Sequence, residues 1–588
     1  MSHKTSIDPV TLEVVRNYMQ SAARHMRNVL VRASCNPVIY EMIDFSVGLY
    51  NRRADLLAEG PGIPHFMGTL RFAIQSVVKY VGESQLNEGD VLLTTYPYWT
   101  GSHSQDATVF RPIFIDRRLF GYAASKAHWM DIGAKDVYGT DTTDIWQEGL
   151  QIYGSKIVAA GVPNREVIEI IRANSRLPDS TVGDLNAQIA CCELGARRVM
   201  ELVSKYGADI VEAACEELLD HGERITRQAI LAAPDGEWCA TGALDDNGIT
   251  REPVTIQVKV SIKGDELAVD TTGSAPQQIG PINAPFPETV SIARLAVKRL
   301  MTPNFEANEG CFRPLTVHSP PGTIFNATPP APVFLYSLPP KIMGELIMQA
   351  LAQAIPERAV ARSGSDECAM VFSGEDPKSG GFFAGADIDG VGQGASADAD
   401  GESALIIYTA SESRNIPIEV MESKFPVRTL KYELRQDGGG PGRFRGGLGI
   451  VKHWKALTDL RCITVIDQTN FPPTGLFGGH KGSSNISIMN AHAQCETRIG
   501  KHSGVVLRDG GEWHLYTAGG GGWGNPLERD PAAVLEDVIQ GYVSVAGAER
   551  DYGVVIRHHS GGLRLDHQAT ERLRGERASH EVPAESAA

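Results

Sequence analysis

The sequence holds no C-x-x-C pair, no apolar run long enough to cross a bilayer, no phosphate-binding loop, and fewer basic than acidic residues. Its nine cysteines (Cys35, Cys191, Cys192, Cys215, Cys239, Cys311, Cys368, Cys462, Cys495) are odd in number and scattered. That excludes a zinc knuckle or a disulfide framework and leaves reduced thiols in packed surroundings. With 55 Lys and Arg against 71 Asp and Glu, the net charge is -16. An average surface of that sign repels phosphate backbones and anionic lipid, so neither nucleic acid nor a membrane is expected as a main partner. The opening stretch MSHKTSIDPVTLEVV has no apolar core of signal-peptide type, and no window approaches the roughly 18 apolar residues of a membrane span. A cytoplasmic location is the expectation.

Three catalytic signatures are missing as well. There is no G-x-S-x-G elbow and no H-E-x-x-H helix, so any hydrolytic chemistry must come from a metal or from another subunit. Glycine is abundant at 390–394, 438–449 and 519–522, but G-x-x-x-x-G-K-[ST] is absent and no amphipathic helix follows these runs. They read as tight turns and close backbone approach rather than nucleotide cradles, and ATP is not expected to bind this chain by itself.

What is present is an α+β, multidomain chain, because 588 residues exceed what one core supports. Asp8-Pro9 followed by Leu12, Val15, Met19, Ala22, Met26, Val29 and Ala33 predicts an N-capped helix. The stretch from Asp44, with a polar turn at Asn51 to Ala54, predicts a β-hairpin. Helices are expected over 65–80, 164–173, 182–206, 208–232, 342–354 and 532–540, and the texture turns to short strands after Gly236 and again after about 404. The expected division is an N-terminal α/β domain (1–235), a β-rich domain (236–335), an α/β Gly-rich segment (336–425), a β-rich domain (426–555) and a charged tail (556–588).

The chemistry concentrates between Thr94 and Asp131. Two strands, Ala107 to Ile115 and Leu119 to Ala124, are flanked by His103-Ser-Gln-Asp106 and by His128. An imidazole and a carboxylate three residues apart can share one cation if other segments complete the shell. His128 emerges among small and apolar neighbours. Asp44 begins a hairpin strand between apolar residues, where a buried carboxylate needs a cation or several donors. Asp44, His103, Asp106 and His128 together form an N2O2 set suited to Zn, Mn or Fe(II). Further on, Asp141, Asp144 and Glu148 fit a capped helix entry, with Glu148 as a base or substrate contact the competing reading.

Several separated stretches resemble the B-type subunit of the hydantoinase/oxoprolinase family over nearly the whole length. They include DPVTLEVVRN (8–17), DFSVGLY (44–50), GSHSQDATVFRPIF (101–114), KAHWMDIGAKD (126–136), GDLNAQIA (183–190), GPINAP (280–285), ESRNIPIEVMESKFPVR (412–428) and GGPGRFRGGLGI (439–450). The resemblance implies a hetero-oligomer in which a separate A-type subunit supplies ATP and Mg and phosphorylates an amide or enol oxygen, while this chain carries the metal. It places the metal ligands on Asp44, His103, Asp106 and His128. The chain departs from the pattern the resemblance implies at two places: Thr95-Tyr96-Pro97 stands where Asn-Asp-Pro is common in the family, and Trp129 where a second His often follows. The expected function is the metal-bearing subunit of an ATP-dependent hydrolase of cyclic amides such as hydantoins, 5-oxoproline or lactams. The alternatives are a subunit of a ketone carboxylase of acetone or acetophenone type, and a scaffold whose metal is structural. Asp131 is expected to orient His128 through its second nitrogen, and Tyr96, Tyr98, Trp99 and Trp129 to form an apolar substrate wall.

Overall fold

The computed structural model describes residues 7–491 and 496–580. Cys495 and residues 581–588 of the tail lie outside that range. The chain begins with α1 (Pro9–Ala33), whose N-cap Asp8 accepts from the Val10 and Thr11 amides, as the Asp-Pro entry predicts. Next come α2 (Pro37–Tyr40), the hairpin β1 (Phe45–Asn51) and β2 (Leu56–Gly60), α3 (Pro64–Val81), β3 (Val91–Thr94), α4 (Pro97–Thr100), β4 (Asp106–Ile115), β5 (Arg118–His128), β6 (Ser155–Ala159) and β7 (Val162–Pro163). These strands form one antiparallel sheet in the order β2-β1-β5-β4-β3-β6-β7. Three helices follow: α5 (Arg165–Ala173), α6 (Pro178–Tyr206) and α7 (Ala208–Leu231).

Both faces of this sheet are covered, which explains why its strands are apolar almost continuously. Val47, Ala107, Val109, Ala123 and Ala127 face α1 and α6. The alternate residues Leu92, Phe110, Tyr122 and Ala124 pack with Leu70, Ile74 and Val77 of α3. The period of two that separates these sets also fixes which side chains of the sheet's end reach the site.

The next unit contains β8 (Gly236–Leu244), β9 (Val254–Lys263), β10 (Glu266–Asp270), α8 (Phe286–Met301), β11 (Leu315–His318) and α9 (Leu338–Leu351). Its sheet runs β11-β10-β9-β8, with β10 and β11 parallel. Helix α8 lies where the sequence reads as strand and turn; it packs between α3 and α9 and ties this sheet to the first.

The remaining elements are β12 (Ala369–Glu375), β13 (Phe382–Asp387), α10 (Ile418–Lys424), β14 (Val427–Leu434), β15 (Ile450–Ala456), β16 (Leu460–Val465), β17 (Ile486–Met489), β18 (Thr497–Arg498), β19 (His502–Leu507), β20 (Glu512–Tyr516), α11 (Pro531–Ile539) and α12 (Val545–Tyr552). Two antiparallel sheets, β13-β12-β16-β19 and β14-β15-β20-β17-β18, close on a core that includes Phe372, Trp454 and Trp513. Val38, Met42, Met130 and Val137 from the N-terminal region join that core. Residues 556–580, where the sequence has no sustained periodicity, form the hairpin β21 (Ile556–His559) and β22 (Gly562–Leu565) and then α13 (His567–His580). Thr570 of that helix is buried, and Arg574 donates to the Tyr552 and Arg529 carbonyls. The eight described cysteines are free thiols.

The glycine runs lie side by side. Gly440 donates to the Gly520 carbonyl at 2.8 Å, Gly520 to Gly447 at 2.9 Å and Gly447 to Gln393 at 2.8 Å. None of the glycines 390–394, 438–440, 446, 447 or 519–522 has positive φ. What these positions need from glycine is the close approach of backbone to backbone, not the left-handed region.

Candidate metal centre

Three sheet positions deliver the candidate ligands. Asp106 opens β4 and is the direct cross-strand partner of His128 at the end of β5, so both side chains leave the same face. On the other flank of β5 the register Phe45↔Ala127 continues to Asp44, whose carbonyl accepts from the His128 amide at 3.1 Å. Ile43, just before it, holds φ +62°, a conformation a β-branched residue adopts only when its surroundings impose it. His103 comes from the loop between α4 and β4. That loop turns at Gly101, φ +78°, where a Cβ would stand 2.8 Å from Thr69 and 3.1 Å from the Glu288 amide.

The donor atoms converge. His103 Nε2 lies 3.0 Å from Asp106 Oδ1 and 3.1 Å from His128 Nδ1, and His128 Nδ1 lies 2.9 Å from the same carboxylate oxygen. All three residues are buried. Donors about 2.1 Å from one first-row cation show mutual spacings of this size. The Phe334 carbonyl sits 3.0 Å from His103 Nδ1; a carbonyl only accepts, so Nδ1 carries the proton and Nε2 offers its lone pair inward. Tyr336 donates to Asp106 Oδ2 at 2.9 Å, leaving Oδ1 for the cluster.

Asp44 stands on the wall of the same cavity, whose volume is about 80 Å³. Its Oδ1 is buried without a hydrogen-bond partner. Burial pushes its carboxyl up to about 7, with His128 opposing and Asp106 adding to the rise. Burial also works against the Asp106 charge, but His103 and His128 outweigh it and hold that carboxyl well below the usual range. An orphaned carboxylate beside two imidazoles and a second carboxylate is a donor set short of a cation, and the residues present fit a divalent metal.

The sign of the Asp44 shift gives a pH dependence. Below about pH 7 this carboxyl is protonated and must lose its proton to ligate, so metal affinity rises with pH up to that point and then levels. The rise from this group alone is as steep as about tenfold per pH unit. Chelator competition between pH 5.5 and 8 measures it; an affinity flat below pH 7 would contradict the assignment.

The other anticipated residues lie elsewhere. Asp131 does not meet His128: its carboxylate takes the Arg176 amide and, at 3.0 Å, the Arg176 Nε, pinning the segment before α6. Glu148, at the end of a short turn capped by Asp144, accepts from Thr142 Oγ at 2.7 Å and from the Val333 and Phe334 amides at 2.9 and 3.0 Å. Burial raises its carboxyl to about 8, against the pull of those bonds. It thereby fixes the segment carrying the Phe334 carbonyl and Tyr336. Tyr96, Trp99 and Tyr153 form an aromatic cluster with ring centroids 4.3 to 5.3 Å apart, and the Tyr98 hydroxyl bonds the Ala331 carbonyl. Trp129 is fully buried, its indole N–H on Gln188 at 2.9 Å. None of these four anticipated aromatics lines the cavity; Phe66, Tyr138 and Tyr336 do. Nothing in a single sequence couples residues 334 and 336 to 103 and 106, so the sequence does not announce this support. Replacing Tyr336 with Phe is expected to weaken metal binding by roughly ten- to a hundredfold with the fold intact, read by chelator competition.

Sheets, helices and a buried His–Asp–His cluster define a multidomain α+β protein with a centre able to hold a cation. The chain belongs to the hydantoinase B/oxoprolinase family, whose profile matches residues 8–526. It is 33% identical over 591 residues to the B-type chain of a putative D-/L-hydantoinase of Pseudomonas sp. (strain NS671), covering 97% of this chain and 98% of that one. The crystal structure of the ATP-dependent caprolactamase from Pseudomonas jessenii matches with a TM-score of 0.89 and 30% identity, covering 97% of this chain and all of that one. A nucleotide-free structure of acetone carboxylase shares the fold, with a TM-score of 0.90 at 20% identity over 98% of this chain and 84% of that one. No described helix is long and apolar enough to cross a membrane.

Proposed function

We propose that this chain is the metal-bearing subunit of an ATP-dependent hydrolase of cyclic amides, working with an A-type ATP-binding subunit. The observation that carries the reading is the buried cluster of His103, Asp106 and His128, with Asp44 beside it, in a family whose relatives are named as subunits of hydantoinase and caprolactamase. When bound by these four residues, a Zn, Mn or Fe(II) ion supplies Lewis acidity and a water of lowered pKa. The chain's own residues do the rest. Phe334 and Tyr336 hold the ligands in register, and Val38, Met42, Phe66, Val371 and Ile388 give the cavity an apolar wall that packs against a ring and keeps bulk water out. ATP is assigned to the partner because no phosphate loop occurs in this sequence.

The test is to purify the chain alone and with the A-type protein that accompanies it. Alone, it should bind a transition metal and show no ATPase activity. The pair should consume ATP with hydantoin, 5-oxoproline or ε-caprolactam and without bicarbonate. ATP turnover that instead requires acetone or acetophenone together with bicarbonate would replace this reading with the carboxylase one.

A further inference from the structure

The cavity has a second chemical group that the ligand set does not use. His65, the second residue of α3, lines it together with His103, Asp106 and His128. Behind His65, its Nδ1 lies 2.9 Å from Oε1 of Glu288 in the first turn of α8. Both residues are buried. The contact is out of line for a hydrogen bond, and neither Glu288 oxygen has another hydrogen-bond partner among the described residues.

The packing holds this pair in place. The Ser291 hydroxyl, one turn along α8, donates to the His65 carbonyl at 2.7 Å. Gly68, one turn along α3, leaves the room for it: a Cβ there would stand 2.1 Å from Ser291 Oγ. Lys126, on the same face of β5 as His128, is buried with its ammonium donating to Thr69 Oγ1 and the Thr100 carbonyl, both at 2.9 Å, 4.4 Å from the Phe66 ring centroid. Its charge is felt by Glu288, Asp106 and Asp44 alike. A carboxylate buried without donors serves no purpose in packing, since its desolvation goes uncompensated. Beside an imidazole, with a cation nearby and α8's N-terminal dipole behind it, it fixes a tautomer. A bare nitrogen 2.9 Å from a carboxylate oxygen is repelled, so Nδ1 carries the proton and Nε2 is left with a lone pair.

We infer that His65, oriented by Glu288, is the proton-transferring residue of the metal cavity. The inference rests on the hydrolase reading for the step it serves. Water adds to the carbon of the partner-made phosphorylated imidate: the C–O bond forms, the C=N pair moves to nitrogen, and the proton lost by water passes to His65 Nε2 and on to that nitrogen. Collapse of the adduct re-forms C=O and breaks C–N, and the hydroxyl proton travels by the same route to the departing amine. The acyl phosphate left behind takes up a second water to give carboxylate and phosphate. No oxidation state changes, and His65 ends as it began. Glu288 is a positioning residue.

The experiment uses the zinc-loaded chain with its A-type partner, as wild type, H65N, E288Q and E288D, assayed on hydantoin, 5-oxoproline and ε-caprolactam. H65N should lower kcat by a hundredfold or more, within the range of a lost general base, with KM within threefold and zinc content unchanged. E288Q should lower kcat about tenfold, and E288D should recover part of that. In parallel, 15N shifts of the histidine-labelled, zinc-loaded full chain should show His65 protonated on Nδ1 and bare on Nε2 at pH 8. Turnover by H65N within threefold of wild type overturns the inference. If wild type opens none of the three rings, the hydrolase reading falls, and the inference is then decided by the spectrum: a proton on Nε2 overturns it. If H65N fails to fold, E288Q and the spectrum decide, and unchanged kcat in E288Q counts against it.

Discussion

His128→Ala is expected to leave a folded chain that no longer retains a transition metal and turns over substrate at less than about a thousandth of the wild-type rate. A factor of that size corresponds to about 4 kcal/mol of lost transition-state stabilisation, which is what a metal that both activates water and polarises the reacting carbon contributes. His128 is the hub of the cluster: its Nδ1 meets both Asp106 and His103, and its amide ties Asp44 to the sheet. The fold should survive for two reasons. The sheet around the site is held by helices on both faces, whose cores are formed by residues other than the ligands. The carboxyl of Asp44, already pushed up to about 7, can also take a proton when the cation is gone instead of standing as an unpaired buried charge. Metal analysis and circular dichroism on the same preparation test this; loss of the fold together with the metal would make the metal structural.

Gly520→Ala is expected to have the largest effect on stability and to abolish soluble expression. Its Cβ would fall 1.9 Å from the Gln393 carbonyl oxygen, and a Cβ on Gly392 would fall 2.0 Å from that of Gly447. The obstructing atoms are backbone groups engaged in bonds of 2.8 to 2.9 Å to neighbouring glycine segments, so nothing can rotate out of the way. Relief requires separating backbone segments whose polar groups would then go unpaired, a cost above about 4 to 5 kcal/mol and comparable with the whole stability of many domains. Gly575→Ala, in α13 where nothing lies within 4 Å of the added carbon, is the control. It should be neutral or stabilise by up to about 1 kcal/mol, because alanine suits a helix better than glycine. Similar melting curves for both variants would contradict the backbone-packing account.

The difference between what is legible in the chain and what is not follows from the range of the interactions. Asp8-Pro9 announces α1 because capping is decided within four residues, and His103-x-x-Asp106 announces a site because the two donors stand three residues apart, one on the loop before β4 and one at that strand's first position. The period of two in a strand, applied further, also places Trp129: if His128 faces the cavity, its neighbour must face away, and Trp129 indeed lies in the helix-covered core with Gln188. A change at Trp129 is therefore felt in the packing of α6. Helix α8 escapes a sequence reading because Pro285 and Pro287 look like turn signals, whereas Pro287 sits in its first turn, where proline is tolerated. With it goes the pairing of His65 with Glu288, joined by helix packing across 223 positions (288 less 65). Close approach of the glycine runs is legible in their composition, but which runs approach which is a tertiary fact.

The most direct test of the central claim is a single coupled assay. The chain, paired with its A-type partner, is stripped of metal and then reloaded, and ring opening of a cyclic amide is followed together with ATP consumption. Both should be absent in the stripped complex, return together on reloading, and fail to return when His103 or His128 is alanine. Ring opening that proceeds undiminished in the stripped complex would contradict the account.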